Sequence, residues 1–282
     1  MSAGFEPVTG RYLRLDIGGR PHRLYVETAG DGPPLLCLHT AGADTRQWRG
    51  VMNDPRVTDR FRVIAFDLPG HGKSSPPAGW ENDEYRLTSD QYQRVILSVI
   101  EAMALERPVV MGCSIGGRIV LHLALHHPDR LRAVIGLQSG AHVDPYYDTD
   151  WLHHPFVHGG EVCAGVVSGL IAPTSPPAER WETLWHYMQS GPGIFRGDLH
   201  FYKIDGDIRA DVARIDTTAC PVFLLTGEYD YSCTPDDTRA LGALIAGAEV
   251  TIMPGLGHFP MSEDPQRFIE HLLPVLDRID SR

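Results

Sequence analysis

Six short runs of continuous apolar residues recur along the 282-residue chain, and they constrain its fold more than any other feature. They cover residues 34–39, 62–67, 108–113, 131–138, 221–227 and 248–253. Strands without polar alternation are typical of parallel sheets, because helices cover both faces of such a sheet. The pattern therefore predicts a mostly parallel sheet that is buried on both sides.

The segments between these runs carry the pattern of helices. Their apolar residues recur at the spacing that places them on one helical face. The clearest cases are residues 88–104, 115–126 and 264–278. Near the N-terminus, two runs of alternating polarity meet at Gly18-Gly19 and predict an antiparallel hairpin. Strand and helix alternate along most of the chain, so the predicted fold class is α/β.

The stretch from about Ala141 to Ala213 lacks this alternation. Its part 141–202 holds ten aromatic residues in 62 positions, whereas aromatics make up 9% of the whole chain. One interpretation is a helical excursion with its own small core. The other is a lid whose apolar inner face lines a substrate pocket. We predict a helical lid at 141–213.

The remainder of the chain, residues 1–140 and 214–282, is predicted to form the core domain. The formal net charge of the whole chain, −11, disfavours nucleic acid and anionic membrane surfaces as partners. The five cysteines are an odd number inside apolar runs, which is typical of a reducing compartment. The sequence shows neither the basic and apolar pattern of a leader nor a run of about 20 apolar residues. We therefore expect a cytoplasmic protein with a small-molecule substrate. The sequence leaves the oligomeric state open.

The strongest chemical signal is Gly112-Cys113-Ser114-Ile115-Gly116-Gly117, which lies between a predicted strand and a predicted helix. A serine becomes an effective nucleophile when a tight strand-to-helix turn projects its hydroxyl toward a base. Such a turn requires glycine neighbours. The pattern predicts Ser114 as the nucleophile and Cys113 as a small buried neighbour.

A nucleophilic serine needs a base, and the base needs an orienting acid. His258 lies in a glycine-rich loop after the last strand, and it is the predicted base. Glu228 and Asp230 follow the strand before it, and Asp230 is favoured because Glu228 directly adjoins the strand end. Two backbone N–H groups should stabilise the oxyanion, from Ile115 after the nucleophile and from Ala41 in the loop after the run at 34–39.

Other patterns are weaker. His153, His154 and His158 lack the carboxylate or cysteine neighbours that a metal site needs. The run 70–74 lacks the first glycine of a phosphate-binding loop, and no dinucleotide fingerprint is present. The expectation is an enzyme without metal or cofactor.

Taken together, these motifs resemble those of the α/β-hydrolase superfamily over essentially the whole chain. The matching features are the His39 turn with Trp48 behind it, F-D-L-P-G-H-G-K-S at 66–74, the Ser114 turn, Asp230, and G-L-G-H-F-P at 255–260. More narrowly, the chain resembles the branch of esterases, enol-lactonases and meta-cleavage-product hydrolases. That resemblance implies a mostly parallel eight-stranded sheet flanked by helices, with a helical lid inserted after the sixth strand.

The chain departs from this branch at two positions. The usual His-Gly turn is His39-Thr40, and Cys113 stands where carbon–carbon hydrolases of the branch carry asparagine. The expected activity is hydrolysis of an ester or lactone of a largely apolar small molecule through an acyl-enzyme. The alternatives are hydrolysis of a carbon–carbon bond in a vinylogous diketone, or a hydrolase-fold receptor for a small ligand. The residues expected to bind substrate are Thr40, Trp151, Phe156, Trp181, Trp185, Tyr187 and Phe259.

Overall fold

A computed structural model describes residues 3–143 and 159–281 of the chain. These residues form an eight-stranded sheet. Its strands are β1 (Thr9–Ile17), β2 (Arg20–Ala29), β3 (Pro34–Leu38), β4 (Arg62–Phe66), β5 (Val109–Cys113), β6 (Ala133–Leu137), β7 (Val222–Gly227) and β8 (Glu249–Met253). Each of the six apolar runs corresponds to one of the strands from β3 to β8, so that prediction is confirmed.

The sheet has the order β1-β2-β4-β3-β5-β6-β7-β8. Strand β2 pairs antiparallel with β1 and β4. The neighbouring strands in the series β4-β3-β5-β6-β7-β8 all pair in parallel. The β1–β2 turn is at Gly18 and Gly19, whose φ angles of 62° and 82° suit glycine. The sheet is therefore mostly parallel, and the predicted N-terminal hairpin forms its antiparallel edge.

Helices connect the parallel strands. They are α1 (Arg49–Met52), α2 (Pro55–Thr58), α3 (Ser89–Ala102), α4 (Ile115–His126), α5 (Gly160–Ser168), α6 (Pro177–Met188), α7 (Ile194–His200), α8 (Pro235–Leu244), α9 (Pro260–Glu263) and α10 (Pro265–Asp280). Short 3-10 turns lie at Thr45–Trp48, Trp80–Asn82, Pro128–Arg130 and Val212–Arg214, and a π-helical turn spans Phe201–Asp205. The three helices predicted from periodicity are α3, α4 and α10.

Two apolar clusters cover the two faces of the sheet. Successive strand residues alternate between them, as Leu36 and Leu38 belong to one cluster and Leu35 and Cys37 to the other. The first cluster packs the sheet against α3 and α4, and the second packs it against α1 and α10. This is the arrangement that continuous apolar strands require.

Helices α5, α6 and α7 all lie between β6 and β7 in the chain. The only charged residue of α5 is Glu161, whereas α6 carries charges on its exposed face and α7 contains the charged residues Arg196 and Asp198. No helix in the two described ranges combines the length and apolarity that crossing a bilayer would need.

Candidate active site

The predicted nucleophile lies in a tight turn between β5 and α4. Ser114 is 4% exposed and has φ 59° and ψ −111°, a conformation that non-glycine residues rarely adopt. Such a strained residue persists only where its surroundings hold it. Here its N–H donates to the Leu137 carbonyl at 3.0 Å, and its carbonyl accepts from the Arg118 N–H at 2.9 Å.

The glycines around Ser114 are required by close backbone packing. A Cβ at Gly112 would lie 2.4 Å from the Gly116 carbonyl oxygen, and one at Gly117 would lie 2.2 Å from the Leu137 carbonyl oxygen. A side chain at either position would force these segments apart. The sequence argument for a glycine-bracketed turn therefore has a steric basis.

Asp230 and His258 are in direct contact. Asp230 Oδ2 lies 2.8 Å from His258 Nδ1, and both side chains are almost completely buried. The other oxygen, Oδ1, accepts from the N–H groups of Ser232 at 2.8 Å and Cys233 at 3.1 Å. An ionised carboxylate that accepts these bonds presents its free oxygen to the ring, so Nδ1 carries the proton and Nε2 is left to accept one.

Glu228, the other candidate acid, lies elsewhere. Its side chain is exposed, and its Oε2 accepts from the Gly255 N–H at 2.9 Å. It therefore braces the loop that leads to His258 without meeting the imidazole. An open groove on this side is lined by Glu228, Thr234 and Arg239, but neither Ser114 nor His258 lines it. We do not assign the groove a role in the candidate site.

The His258 loop is fixed by neighbours from three parts of the chain. The His258 N–H donates to the Leu170 carbonyl at 2.9 Å, and the Cys113 thiol donates to the His258 carbonyl at 3.2 Å. The Gln138 side chain bridges two loops, donating to the Gly257 carbonyl at 2.8 Å and accepting from the Gly227 N–H at 3.0 Å. The Ser114 turn, the acid loop and the histidine loop thus meet at one edge of the sheet.

A buried carboxyl group also supports the His258 loop. Glu263 is 0% exposed, and its Oε1 accepts from the Gly257 N–H. Burial raises the pKa of Glu263 to about 7, although the hydrogen bonds from Gly257 and Ala172 and the nearby His258 oppose the rise. Its Oε2 has no hydrogen-bond partner among the residues described. Glu263 was not predicted from the sequence.

The loop after β3 begins with a histidine that is locked in one neutral form. His39 Nε2 accepts from the Leu68 N–H at 3.1 Å, so Nδ1 carries the proton and donates to the Thr40 carbonyl at 2.8 Å. Burial lowers the pKa of His39 to about 4, and the neighbouring His71 adds to that effect. The ring therefore fixes the turn even though Thr40 replaces the usual glycine.

The two predicted oxyanion donors both have free backbone N–H groups. Among the hydrogen bonds of residues 3–143 and 159–281, none uses the N–H of Ala41 or of Ile115. Ile115 is the first residue of α4, where an unpaired N–H and the positive end of the helix dipole favour an anion. Ala41 is flanked by residues whose own N–H groups are engaged, Thr40 by Gln47 and Gly42 by Asp198.

An aromatic cluster connects α6 and α7 with these loops. Tyr187 lies 5.3 Å from the ring of Phe259 and 6.0 Å from that of Phe195, and its hydroxyl contacts Thr40 Oγ1. Phe259 in turn packs edge-on against the His258 ring, with centroids 4.9 Å apart. Three of the predicted substrate-binding residues, Thr40, Tyr187 and Phe259, therefore meet beside His258.

Two further predicted substrate-binding residues, Trp181 and Trp185, do not join this cluster. Trp181 is 68% exposed and Trp185 is 50% exposed, with Trp185 lying under the Arg46 guanidinium at 5.0 Å. Both therefore face outward from α6. Trp151 and Phe156 lie outside the described residues, as do His153, His154 and His158. Within the described ranges, no group of three or more potential ligands could hold a metal ion.

Two charged side chains near the site were not anticipated either. Asp198 on α7 is 0% exposed and binds the Gly42 N–H. Arg118 on α4 is also 0% exposed, and its Nη1 donates to the Tyr202 carbonyl at 3.0 Å. A buried charge has no local sequence signature, because its partners come from distant parts of the chain.

Comparisons with known proteins agree with the fold. The family model of the alpha/beta hydrolase fold matches residues 33–158. A pimeloyl-[acyl-carrier protein] methyl ester esterase of Nitrosomonas europaea is 26% identical over 87% of this chain and 96% of its own. A 2-hydroxy-6-oxo-6-(2'-aminophenyl)hexa-2,4-dienoic acid hydrolase of Metapseudomonas resinovorans is 24% identical over 94% of this chain and 90% of its own.

Solved structures show the same fold. A thermophilic esterase from Thermogutta terrifontis has a TM-score of 0.83 at 20% identity, over 95% of this chain and 99% of its own. The enol-lactonase from Burkholderia xenovorans has a TM-score of 0.80 at 17% identity, over 96% of this chain and 100% of its own. The chain has the α/β-hydrolase fold. The resemblance to esterases, enol-lactonases and dienoic acid hydrolases that its motifs indicated is confirmed.

Proposed function

We propose that the protein is a cofactor-free serine hydrolase that cleaves an ester or lactone of a largely apolar small molecule. The observation that carries the proposal is the buried Asp230–His258 contact of 2.8 Å, at the sheet edge where the Ser114 turn also lies. A serine, a carboxylate and an imidazole in this order along the chain are the groups that acyl transfer needs.

In the proposed mechanism, Ser114 Oγ attacks the substrate carbonyl while His258 Nε2 takes its proton. Asp230 holds Nδ1–H and stabilises the imidazolium that forms. The N–H groups of Ala41 and Ile115 bind the oxyanion of the tetrahedral intermediate. His258 then returns the proton to the leaving oxygen, and water releases the acyl group from Ser114 by the same sequence.

The proposed lid, residues 141–213, supplies one wall of the substrate pocket. Two observations support this. Tyr187 of α6 packs against Phe195 of α7 and beside Phe259, which packs on His258. The Leu170 carbonyl, just after α5, accepts the His258 N–H. An aromatic wall with few polar groups suits an acyl group with an aliphatic or aromatic body.

A carbon–carbon hydrolase is the second candidate, and a buried cation favours it. Arg118 lies one helical turn after Ser114, and its Nε and Nη2 have no hydrogen-bond partner in the described residues. An uncompensated buried guanidinium is costly, and a substrate carboxylate would relieve that cost. A dienoate substrate carries such a group, and one of the similar proteins is named for a dienoic acid.

The deciding experiment is a comparison of kcat/KM for neutral esters and lactones with that for dienoate diketones, using wild type, Ser114→Ala and Arg118→Leu. We expect the neutral substrates to win by at least about tenfold, or 1.4 kcal/mol of transition-state preference. Arg118→Leu should then leave the rate for neutral esters within a few-fold of wild type. A tenfold advantage for the diketones, lost in Arg118→Leu, would establish the second candidate instead.

A further inference from the structure

Asp198 is a carboxylate on α7 whose oxygens bind three donors from the core domain. Oδ2 accepts from the Gly42 N–H at 2.8 Å and faces His71 Nε2 at 2.8 Å. Oδ1 accepts from the Tyr85 hydroxyl at 2.8 Å. The side chains of Asp198 and His71 are both 0% exposed. The contact is therefore sealed from solvent.

The geometry indicates that His71 is protonated. Its second ring nitrogen, Nδ1, faces the Pro69 carbonyl at 3.2 Å, so both nitrogens meet acceptors and both can donate. Burial by itself lowers the pKa of His71, but the charge of Asp198 and the hydrogen bond to it outweigh burial and leave that pKa raised. The neighbouring His39, 4.9 Å away between ring centroids, is neutral and does not compete for the charge.

This ion pair meets the loop that carries a proposed oxyanion donor. Gly42 directly follows Ala41, and its φ of 67° gives the turn a form that glycine favours. A Cβ at Gly42 would lie 2.8 Å from Phe195 Cδ2, so α7 is seated against this turn. The peptide between Ala41 and Gly42 is thus held by α7, whereas the Thr40 N–H before it is held by Gln47 of the core at 3.0 Å.

We propose that Asp198 is a positioning residue of the oxyanion hole, so that the hole is complete only when α7 is seated on the loop after β3. The inference rests on the proposed hydrolase function. It adds that this function depends on the inserted helices. His71 has a supporting part, because the hydrogen bond from its Nε2 orients the Asp198 carboxylate. Retaining a buried ion pair is costly in stability, which suits a contact that fixes one geometry.

The first test compares Asp198→Asn with Arg196→Gln, a change on the same helix that breaks an ion pair with Glu84 and leaves Gly42 untouched. With a chromogenic short-chain ester, Asp198→Asn should lower kcat by about 10²-fold, the loss typical of one impaired oxyanion donor. KM should change by less than threefold, and Arg196→Gln should match wild type in both constants.

A purely structural role is excluded by comparing two inhibitors. A trifluoromethyl ketone forms a tetrahedral adduct that uses the oxyanion hole, whereas the alcohol product of the reaction does not. In Asp198→Asn, the ketone should lose affinity by the same factor as kcat/KM, and the product should bind as it does to wild type. An equal loss for both ligands would overturn the proposal.

A second measurement needs no substrate and separates this inference from the proposed function. Hydrogen exchange at the Gly42 amide should be slow in wild type and at least tenfold faster in Asp198→Ala. If wild type hydrolyses no ester, the proposed function fails, and Gly42 exchange still tests the positioning role. If Asp198→Asn keeps kcat within threefold of wild type, or if the Gly42 amide stays protected in Asp198→Ala, the inference fails while the hydrolase function stands.

Discussion

The loops at the strand ends and the helices between β6 and β7 supply different kinds of group to the candidate site. The strand-end loops carry the proposed reactive groups of Ser114, Asp230 and His258, which are held by bonds within the core domain and, at His258, also by one bond to the segment after α5. The inserted helices carry Tyr187, which packs beside those groups, and Asp198, which fixes a loop. We therefore propose that the sheet edge supplies the chemistry and that the inserted helices supply the shape and alignment of the site.

The largest expected effect at the sheet edge comes from changing the proposed acid, Asp230. Asp230→Asn should lower kcat by about 10⁴-fold, because an amide presents the wrong hydrogen-bonding partner to His258. Glu228→Gln is the matched control, since Glu228 bonds only the Gly255 backbone in the contacts described and should cost less than tenfold. The measurement is steady-state kinetics of both variants and wild type with the same ester substrate. The reverse ranking would make Glu228 the orienting acid.

Two aromatic residues of α6, one on its buried face and one on its exposed face, test the role proposed for the inserted helices. Tyr187 is 1% exposed and Trp181 is 68% exposed. Tyr187→Ala should lower the free energy of unfolding by about 4 kcal/mol, as truncation of a buried aromatic does. Trp181→Ala should stay within about 0.5 kcal/mol of wild type. Denaturant titration measures both values.

Tyr187→Phe sharpens the same comparison. It keeps the ring and removes only the hydroxyl that contacts Thr40 Oγ1, so it should cost about 1 kcal/mol. Equal effects of Tyr187→Ala and Trp181→Ala on stability and on KM would contradict the division between an inner and an outer face of α6.

A further prediction concerns pH. Because the pKa of Glu263 is raised from 4.5 to about 7, the folded protein keeps a proton there that the unfolded chain has already released. The contribution of Glu263 to stability therefore falls as pH rises from about 4.5 to 7, by at most about 3 kcal/mol. Glu263→Gln should lack this decline.

The test is to measure the free energy of unfolding of wild type and Glu263→Gln at pH 5 and pH 8. Asp67, whose pKa burial raises to about 6, titrates in both proteins, so the difference between them isolates Glu263. Parallel pH profiles for the two proteins would show that the Glu263 carboxyl does not titrate in this window.

Local patterns were sufficient to predict the strands, the turn at Ser114 and the loops of Asp230 and His258. Continuous apolar runs, bracketing glycines and chain order each involve residues close together in sequence. The contacts of Asp198 with Gly42 and of Tyr187 with Thr40 join residues about 150 positions apart, and no local pattern encodes them. The aromatic content of 141–202 predicted an apolar wall without indicating that Trp181 and Trp185 face outward.

The central claim is that Ser114 forms an acyl-enzyme with a proton-accepting His258. The most direct test is intact-protein and peptide mass spectrometry after treatment with a serine-directed fluorophosphonate. We expect one adduct per chain, on the peptide that contains Ser114, no adduct in Ser114→Ala, and strongly slowed labelling in His258→Ala. Labelling of another residue in wild type, or undiminished labelling and ester turnover in Ser114→Ala, would contradict it.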